Sequence, residues 1–356
     1  MNALGTRIAD LIAAQGPISV AQYMMLAMHD AEAGYYATRD PFGRDGDFIT
    51  APEISQMFGE MLGLWCGQAW VDQGCPKNTK LVELGPGRGT LMADALRVLK
   101  RVPNFLTDVE VVMVEASPTL RDIQRERLKD SGARIRWATH FDISDAPLLL
   151  LANEFFDALP VRQYVKTARG WRERMVVTKG DGLDFALAPQ VTPAAAIPAS
   201  RAGAPEGGVY EVSPAATSLT EEIGRVIAAH GGAALLLDYG YTAIGFGETL
   251  QAVGKHRFAS LLEEPGAKDL SAHVDFTALA DAARHGGAAV YGPCGQGALL
   301  EALGLSARAK RLADANPAEA AAVYAAAQRL TAPDQMGTLF QGLALTPSSA
   351  ARPPGF

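Results

Sequence analysis

The sequence predicts an α/β protein with a mostly parallel sheet, and three observations support this prediction. From residue 80 onward, short runs rich in Val and Leu alternate with segments of helical periodicity, the order expected of parallel strands covered by helices on both faces. The glycine-rich turn "ELGPGRG" joins the first of these runs to the first helix. No apolar run approaches the ~20 residues that a membrane-spanning helix needs, so we expect no membrane insertion.

The first 76 residues are predicted to form a helical segment that contains one long loop. The loop, "GYYATRDPFGRDGDFITAPEIS", is rich in Gly, Asp and Pro. Loops of that length in compact proteins are usually functional or disordered, and the aromatic residues favour a functional loop. We expect Asp47 and Glu53 to lie in a lid on the substrate side. Thr50 and Pro52, at the start of the next helix, are expected beside a bound cofactor.

The elements that follow alternate in type. Strands are predicted at 80–84, 109–115, 134–138 and 147–153, with helices at 90–100 and 118–130 between them. The residues after them predict an antiparallel meander that turns at Arg169-Gly170 and Asp181-Gly182. The Ala/Pro/Gly-rich stretch at about 188–208 is expected to be a flexible surface loop.

The remaining elements resume the alternation of strand and helix. They are a helix at 217–229, the strand "AALLLDYGY", helices at 276–285, 298–303 and 317–330, and a last strand in "TLFQGLAL". The chain is therefore predicted to divide into the helical segment 1–76, a cofactor-binding core at 77–240 and an accessory region at 241–356 that supplies the last strands. The meander and its loop, 161–208, are an insertion into the core.

Charge and cysteine content exclude several classes of protein. The formal charge of -7 argues against a general nucleic-acid binder, which usually has a basic face. The three cysteines form no CxxC pair and have no zinc-like spacing to histidine, so neither a disulfide framework nor a metal site is predicted. The N-terminus "MNALGTRIADLIAAQGP" lacks the features of a signal or transit peptide. We therefore expect a reducing, cytoplasmic location.

The glycine-rich turn predicts a cofactor. Gly85, Gly87 and Gly89, with Pro86 between them, have the spacing G-x-G-x-G, whereas dinucleotide sites more often show G-x-G-x-x-G. Glu83 precedes the turn, and an anion there would repel a pyrophosphate but attract a cationic amine. This pattern points to S-adenosylmethionine and makes an NAD enzyme the poorer alternative.

Other residues at strand ends complete the predicted cofactor site. Glu115, at the end of the second strand, can accept both ribose hydroxyls, although it also neighbours a helix N-cap. Asp142 and Ile143 suit an adenine amine and its ring face, with a solvated loop acid as the alternative for Asp142. Asn153 closes the fourth predicted strand of the core beside the switch point of the sheet, where ligands bind.

Several strings carry a family resemblance. "GYYATRDPFGRDGDFITAPEISQMFGEMLG", "VELGPGRGT", "NEFFDALPV", "GWRERMV", "LLLDYGY" and "DLSAHVDF" together resemble the class I methyltransferase family of the mitochondrial complex I assembly factor MidA. The resemblance implies a Rossmann-like fold with a seven-stranded sheet. It also implies an S-adenosylmethionine-dependent protein arginine methyltransferase, which produces symmetric dimethylarginine on the 49 kDa-type subunit of NADH:ubiquinone oxidoreductase. The chain resembles the bacterial members, and a homodimer is possible.

Two acids in "NEFFDALP" are the candidates for the chemistry. Carboxylates can grip a guanidinium by bidentate hydrogen bonds and accept the departing proton. We expect Glu154 to hold the arginine and Asp157 to assist, while Phe155 and Phe156 exclude water and stack on the flat cation. The structural alternative gives Asp157 a turn-capping role and places both phenylalanines in the core.

The later strings supply weaker candidates. His273 could relay a proton because its unperturbed pKa is near neutrality, although most single histidines are ordinary loop or core residues. Asp275 is expected beside the substrate, and Asp238 and Tyr239 are expected to close the pocket. Two alternatives remain for the function: another methyl acceptor, either a small molecule or a different protein side chain, and a non-catalytic assembly chaperone.

Overall fold

The computed structural model describes residues 1–38, 50–243, 245–254 and 257–356, so Asp47 lies outside the described residues. Within these ranges the N-terminal part is mainly helical, as expected. Its elements are α1 (Ala3–Gln15), β1 (Ile18–Ser19), α2 (Val20–His29), α3 (Tyr35–Thr38), α4 (Ala51–Ile54) and α5 (Gln56–Asp72). Ser19 and Gln22 form a capping box that starts α2. Helix α5 is buried on most of its faces, so it packs as part of the main core rather than as a surface helix.

The first half of the core follows the predicted alternation closely. It consists of β2 (Thr79–Leu84), α6 (Thr90–Leu99), α7 (Phe105–Asp108), β3 (Val109–Val114), α8 (Pro118–Leu128), β4 (Arg134–Ala138) and β5 (Leu148–Asn153). Helices α5 and α6 approach closely because α5 has glycines at the contact. A Cβ added at Gly63 would lie 2.7 Å from the Cα of Ala95, so only glycine fits there.

The inserted meander is present and extends further than predicted. Its strands are β6 (Arg162–Thr167), β7 (Gly170–Lys179), β8 (Gly182–Leu187) and β9 (Val209–Val212). β9 follows the stretch predicted as a flexible loop and pairs with β6. That stretch is mostly exposed, but the side chain of Arg201 is only 5% exposed and stacks 4.7 Å from the ring centroid of Tyr210. The loop is therefore anchored at Arg201.

The C-terminal half contains the predicted elements and several that the sequence pattern missed. In order they are α9 (Pro214–His230), β10 (Gly232–Tyr241), β11 (Gln251–Gly254), β12 (Arg257–Ala259), β13 (Asp269–Ser271), β14 (Val274–Asp275), α10 (Phe276–His285), β15 (Ala289–Gly295), α11 (Gln296–Ala302), α12 (Leu305–Ala315), α13 (Ala320–Thr331), α14 (Met336–Leu339) and β16 (Phe340–Thr346). β11, β12 and β13 form a small antiparallel sheet. In the part of the chain that the structure describes, no helix combines the length and the apolar character needed to cross a bilayer.

The central sheet has the order β4-β3-β2-β5-β10-β16-β15, and the two-residue strand β14 adds an eighth member beside β10. The five strands β4, β3, β2, β5 and β10 are parallel to one another, whereas β16 is antiparallel to both β10 and β15. The chain order reverses between β2 and β5. The crevice at the carboxyl ends of these two strands is where ligands bind in sheets of this kind.

Candidate cofactor and acceptor site

A cleft opens at that crevice. Most of the residues predicted for the cofactor lie along it. Its lining consists of Thr50, Pro52, Glu53, Glu83, Gly85, Pro86, Gly87, Arg88, Thr90, Leu91, Asn153 and Glu154. The carboxyl end of β2, the glycine-rich turn, α4 and the carboxyl end of β5 therefore meet at one place.

The glycine-rich turn has the backbone conformation that its sequence predicts. Gly85, Gly87 and Gly89 have φ values of 59°, 52° and 76°, in the left-handed region that favours glycine. A Cβ at Gly85 would lie 2.8 Å from the ring of Phe155. The turn thus needs glycine for both its dihedral angles and its close neighbours.

Glu83 presents an unpaired carboxylate oxygen at the cleft. The side chain is 3% exposed. It accepts a hydrogen bond from the backbone N–H of Met92 in α6, while its Oε2 atom is buried without a partner among the described residues. Burial, and then the nearby Glu115, raise the pKa of Glu83 well above its ordinary value. A buried acceptor of this kind is costly unless a ligand satisfies it, and the cationic amine of S-adenosylmethionine fits that requirement.

Glu115 lies at the end of β3 and is held by two donors. Its Oε1 accepts from the backbone N–H of Ser117 at 2.8 Å, and its Oε2 accepts from the Nε2 of Gln124 at 3.3 Å. Burial raises the pKa of Glu115, and these hydrogen bonds oppose the rise. The predicted neighbour of a helix N-cap is confirmed, since Ser117 caps α8, and the carboxylate keeps lone pairs for ribose hydroxyls.

The two residues expected at adenine lie beyond the cleft lining. Asp142 forms a bidentate ion pair with Arg136, with hydrogen bonds of 2.8 and 3.0 Å. Arg136 holds the pKa of Asp142 below its ordinary value. Ile143 is buried in the core layer on one face of the sheet. Their contact with adenine stays a prediction, and Arg136 is a competing partner for Asp142.

The turn after β5 places Glu154 at the cleft. Glu154 has a φ of 50°, an uncommon conformation for a residue with a side chain. Its Oε1 accepts from the backbone N–H of Ala51 and from the Nδ2 of Asn153, each at 3.2 Å. Burial, and then the charge of Asp157, raise the pKa of Glu154 to about 7. The Oδ1 of Asn153 is buried without a partner among the described residues, which leaves a second acceptor beside the cleft.

Asp238 holds this turn in place, and its predicted role in closing the pocket stays a prediction. Its Oδ2 accepts from three successive backbone N–H groups, those of Phe155, Phe156 and Asp157, at 3.2, 3.0 and 3.2 Å. Its Oδ1 accepts from the backbone N–H of Tyr239 at 2.9 Å. The side chain is 1% exposed. Burial, and then Asp157 and Glu154, raise the pKa of Asp238, while the N–H donors oppose this rise.

Asp157 lies in the same turn and has one unused oxygen. Tyr239 donates its hydroxyl to Asp157 and accepts from the hydroxyl of Ser271. The Oδ1 of Asp157 is buried without a partner among the described residues. Burial raises the pKa of Asp157 to about 6. Glu154, Asp157 and Asp238 thus form a cluster of three interacting acids.

The two phenylalanines of the turn differ in position. Phe155 is half-buried and lies over Gly85 of the cofactor turn, so it borders the cleft. Phe156 is 3% exposed and belongs to the core. This position agrees with the alternative of a core residue for Phe156, while stacking on a substrate stays a prediction.

His273 and Asp275 line a second cleft, on the side of Phe156. The ring of His273 packs edge-on against Tyr239 at 5.3 Å between centroids, and burial lowers the pKa of His273. Asp275 caps α10 by accepting from the backbone N–H of Ala278 at 3.0 Å and pairs with Arg201 at 3.0 Å. The structure thus gives Asp275 two structural partners, and its place beside the substrate stays a prediction.

The predicted lid residue Glu53 is fastened to the cofactor cleft. Its Oε1 accepts from the hydroxyl of Thr90, the first residue of α6, and the same hydroxyl accepts from Arg127 of α8. With Ala51 bonded to Glu154, α4 is tied to the cleft at both ends. This arrangement agrees with a covering role for residues 50–54, which stays a prediction.

Together the sheet order, the left-handed glycine turn and the acids at the ends of β2 and β3 define a class I S-adenosylmethionine-dependent methyltransferase. Residues 61–294 match the family described as "Putative S-adenosyl-L-methionine-dependent methyltransferase". The chain belongs to that family, which confirms the resemblance to the MidA proteins.

Two curated relatives and one solved structure agree with this assignment. The chain is 38% identical to the mitochondrial protein arginine methyltransferase NDUFAF7 of Mus musculus, over 94% of this chain and 82% of that protein. It is 38% identical to the same-named protein of Homo sapiens, over 94% and 81%. The crystal structure of a superfamily member from Burkholderia thailandensis, bound to S-adenosyl-homocysteine, matches with a TM-score of 0.89 and 29% identity over 99% of this chain and 94% of that chain. The protein is a methyltransferase that uses S-adenosylmethionine.

Proposed function

We propose that the protein methylates arginine side chains of a protein substrate, with the 49 kDa-type subunit of NADH:ubiquinone oxidoreductase as the acceptor and symmetric dimethylarginine as the product. The observation that carries the proposal is Glu154 at the cofactor cleft, with the interacting acid Asp157 three residues further along the same turn. The names of the mouse and human relatives, mitochondrial protein arginine methyltransferases, support it. We further propose that this chain acts in the cytoplasm of a bacterium, supports assembly of that enzyme, and works as a homodimer.

The two carboxylates suit a cationic acceptor because both are acidic groups of one turn and their pKa values differ, at about 7 and about 6. Glu154 lines the cleft, with one oxygen tied to Ala51 and Asn153, and its other oxygen can accept from a guanidinium. The buried Oδ1 of Asp157 has no partner among the described residues, and it can accept from a second guanidinium nitrogen. Hydrogen bonds of this kind hold the cation flat and fix which nitrogen faces the methyl donor.

The same acids can remove the proton that methylation displaces. When bound, S-adenosylmethionine supplies an electrophilic methyl group on a sulfonium. The guanidinium nitrogen that gains a methyl group must lose a proton, and a carboxylate with a pKa of about 6 or 7 accepts it better than an ordinary carboxylate does. Asp157, hydrogen-bonded to Tyr239, is the proposed proton acceptor, and Glu154 is the proposed grip on the arginine.

The test is methyl transfer to the purified subunit. Wild-type protein and the Glu154→Gln variant are incubated with radiolabelled S-adenosylmethionine and the subunit, and the product is hydrolysed and compared with standards of the dimethylarginine isomers. We expect label in symmetric dimethylarginine with the wild type and loss of at least 100-fold in rate with the variant, on the order expected for a residue acting in proton transfer and positioning. Label in another side chain, or only in a small molecule, would contradict the arginine acceptor. Unlabelled subunit with intact cofactor binding would favour the chaperone alternative.

A further inference from the structure

Gln124 of α8 is the most completely buried polar residue around the cofactor cleft. Its side chain is 0% exposed, although α8 is otherwise a polar surface helix with only Leu120 and Leu128 buried beside it. A buried amide is costly unless its donors and acceptor are all used. The partners of Gln124 therefore indicate why an amide is there.

Three hydrogen bonds satisfy the amide and fix its orientation. The Nε2 donates to the backbone carbonyl of Gly87 at 2.7 Å and to the Oε2 of Glu115 at 3.3 Å. The Oε1 accepts from the indole Nε1 of Trp137, in β4, at 2.9 Å. An indole can only donate and a carbonyl can only accept, so the reversed amide would lose both of its strong bonds.

These partners belong to separate parts of the cofactor site. Gly87 is in the glycine-rich turn, and Glu115 is the acid at the end of β3. The side chain of Gln124 also limits the space at Gly89, because a Cβ added there would lie 3.3 Å from the Cγ of Gln124. One buried side chain thus sets the distance between the turn and the acid.

We propose that Gln124 is a positioning residue for the methyl donor. It holds the glycine turn and the carboxylate of Glu115 in one fixed relation, so that both meet the donor without rearrangement. The cost of losing it falls on donor affinity and not on the transfer step, because its hydrogen bonds go to Gly87, Glu115 and Trp137 and not to the acceptor acids. This inference holds whichever acceptor the enzyme uses.

The test compares Gln124→Glu with Trp137→Phe. The Gln124→Glu side chain keeps the shape and the acceptor for Trp137, but it has at most one O–H donor, and none when ionised, so it cannot donate to both Gly87 and Glu115. Trp137→Phe removes only the third hydrogen bond. We expect Gln124→Glu to weaken binding of S-adenosylmethionine and S-adenosyl-homocysteine by roughly ten- to a hundred-fold in calorimetry. The rate at saturating donor should stay within about two-fold of wild type, and Trp137→Phe should leave donor affinity within about three-fold.

Two outcomes with this pair of variants would overturn the proposal. One is a folded Gln124→Glu protein with wild-type donor affinity, and the other is a Trp137→Phe protein with the same loss of affinity, since the network would then be purely structural. Should Gln124→Glu fail to fold, Gln124→Met, uncharged and of similar length, takes its place. A loss of rate at saturating donor with unchanged affinity in that variant would also refute the inference.

Discussion

Glu154→Gln should stabilise the free protein while it removes methyl transfer. Burial and Asp157 raise the pKa of Glu154 from 4.5 to about 7. A pKa difference of one unit is equivalent to about 1.4 kcal/mol, so this change lowers the stability of the folded protein by about 3 kcal/mol once Glu154 is ionised. The side chain is half-buried, so solvent screening reduces the expected effect to about 1–2 kcal/mol.

The sign of the effect depends on pH in a defined way. Because the pKa is higher in the folded state than in the unfolded chain, the folded protein binds the proton more tightly. Its stability therefore falls as pH rises from about 4.5 to about 7 and is level above that range. Glutamine keeps an oxygen for the N–H of Ala51 and the amide of Asn153, and it cannot ionise. The variant should match the wild type near pH 5 and exceed it above pH 8.

Urea unfolding at pH 5 and pH 8.5 measures this difference directly. Asp142→Asn is the matched control, because Arg136 lowers the pKa of Asp142. Removing the charge of Asp142 should lower the free energy of unfolding by up to about 1 kcal/mol at pH 8.5. The two variants should therefore change stability in opposite directions. A Glu154→Gln protein that is less stable than wild type at pH 8.5 would refute the reasoning about the buried acids.

Three further predictions concern the helix contact and the cofactor turn. Gly63→Ala should destabilise the protein by about 2–3 kcal/mol in the same assay, since its Cβ meets the backbone of Ala95 at 2.7 Å. Gly67→Ala, which meets only the side-chain tips of Leu99 at 3.2 Å and Val102 at 3.3 Å, should be within about 1 kcal/mol of wild type. Equal losses would be evidence against the close helix contact. Binding of S-adenosylmethionine should release a proton and become tighter as the pH rises, because the pKa of Glu83 is raised and a bound cation favours the ionised carboxylate. Calorimetry in two buffers with different heats of ionisation measures the proton release. Proton uptake on binding would contradict this prediction. Gly87→Val should abolish binding of S-adenosylmethionine in a filter assay. The control Gly207→Val, at an exposed glycine with a φ of 85°, should leave binding intact. Retained binding in Gly87→Val would argue against a donor bound at the glycine-rich turn.

The sheet could be predicted from sequence where strands are continuous and apolar. β2, β3, β5 and β10 are such runs, and their helices show clear periodicity. β15 was missed because "AVYGPCG" contains two glycines and a proline, residues that weaken a strand pattern. β9 was missed because only four residues pair with β6, directly after a stretch without periodicity.

The acids of the cofactor site were predictable for a topological reason. The carboxyl ends of parallel strands meet at one edge of a sheet, so Glu83 and Glu154 could be expected near each other from their positions alone. The role of Asp238 was not predictable in this way. It depends on the register between β10 and β5, which aligns Leu237 with Asn153 and so places Asp238 beside the backbone of the following turn.

Gln124 was missed although the sequence carries a signal for it. It lies four residues after Leu120 and four before Leu128, in the middle of the only buried stripe of α8. A polar residue at such a position has a buried partner more often than not. Identifying those partners required the structure, because Gly87 and Trp137 are distant from it along the chain.

The most direct test of the central claim is a crystal structure with S-adenosyl-homocysteine bound. The amino group of the ligand should lie about 2.7–3.2 Å from the Oε2 of Glu83, and the ribose hydroxyls should contact Glu115. A ligand bound elsewhere, or an amino group directed away from Glu83, would contradict the account.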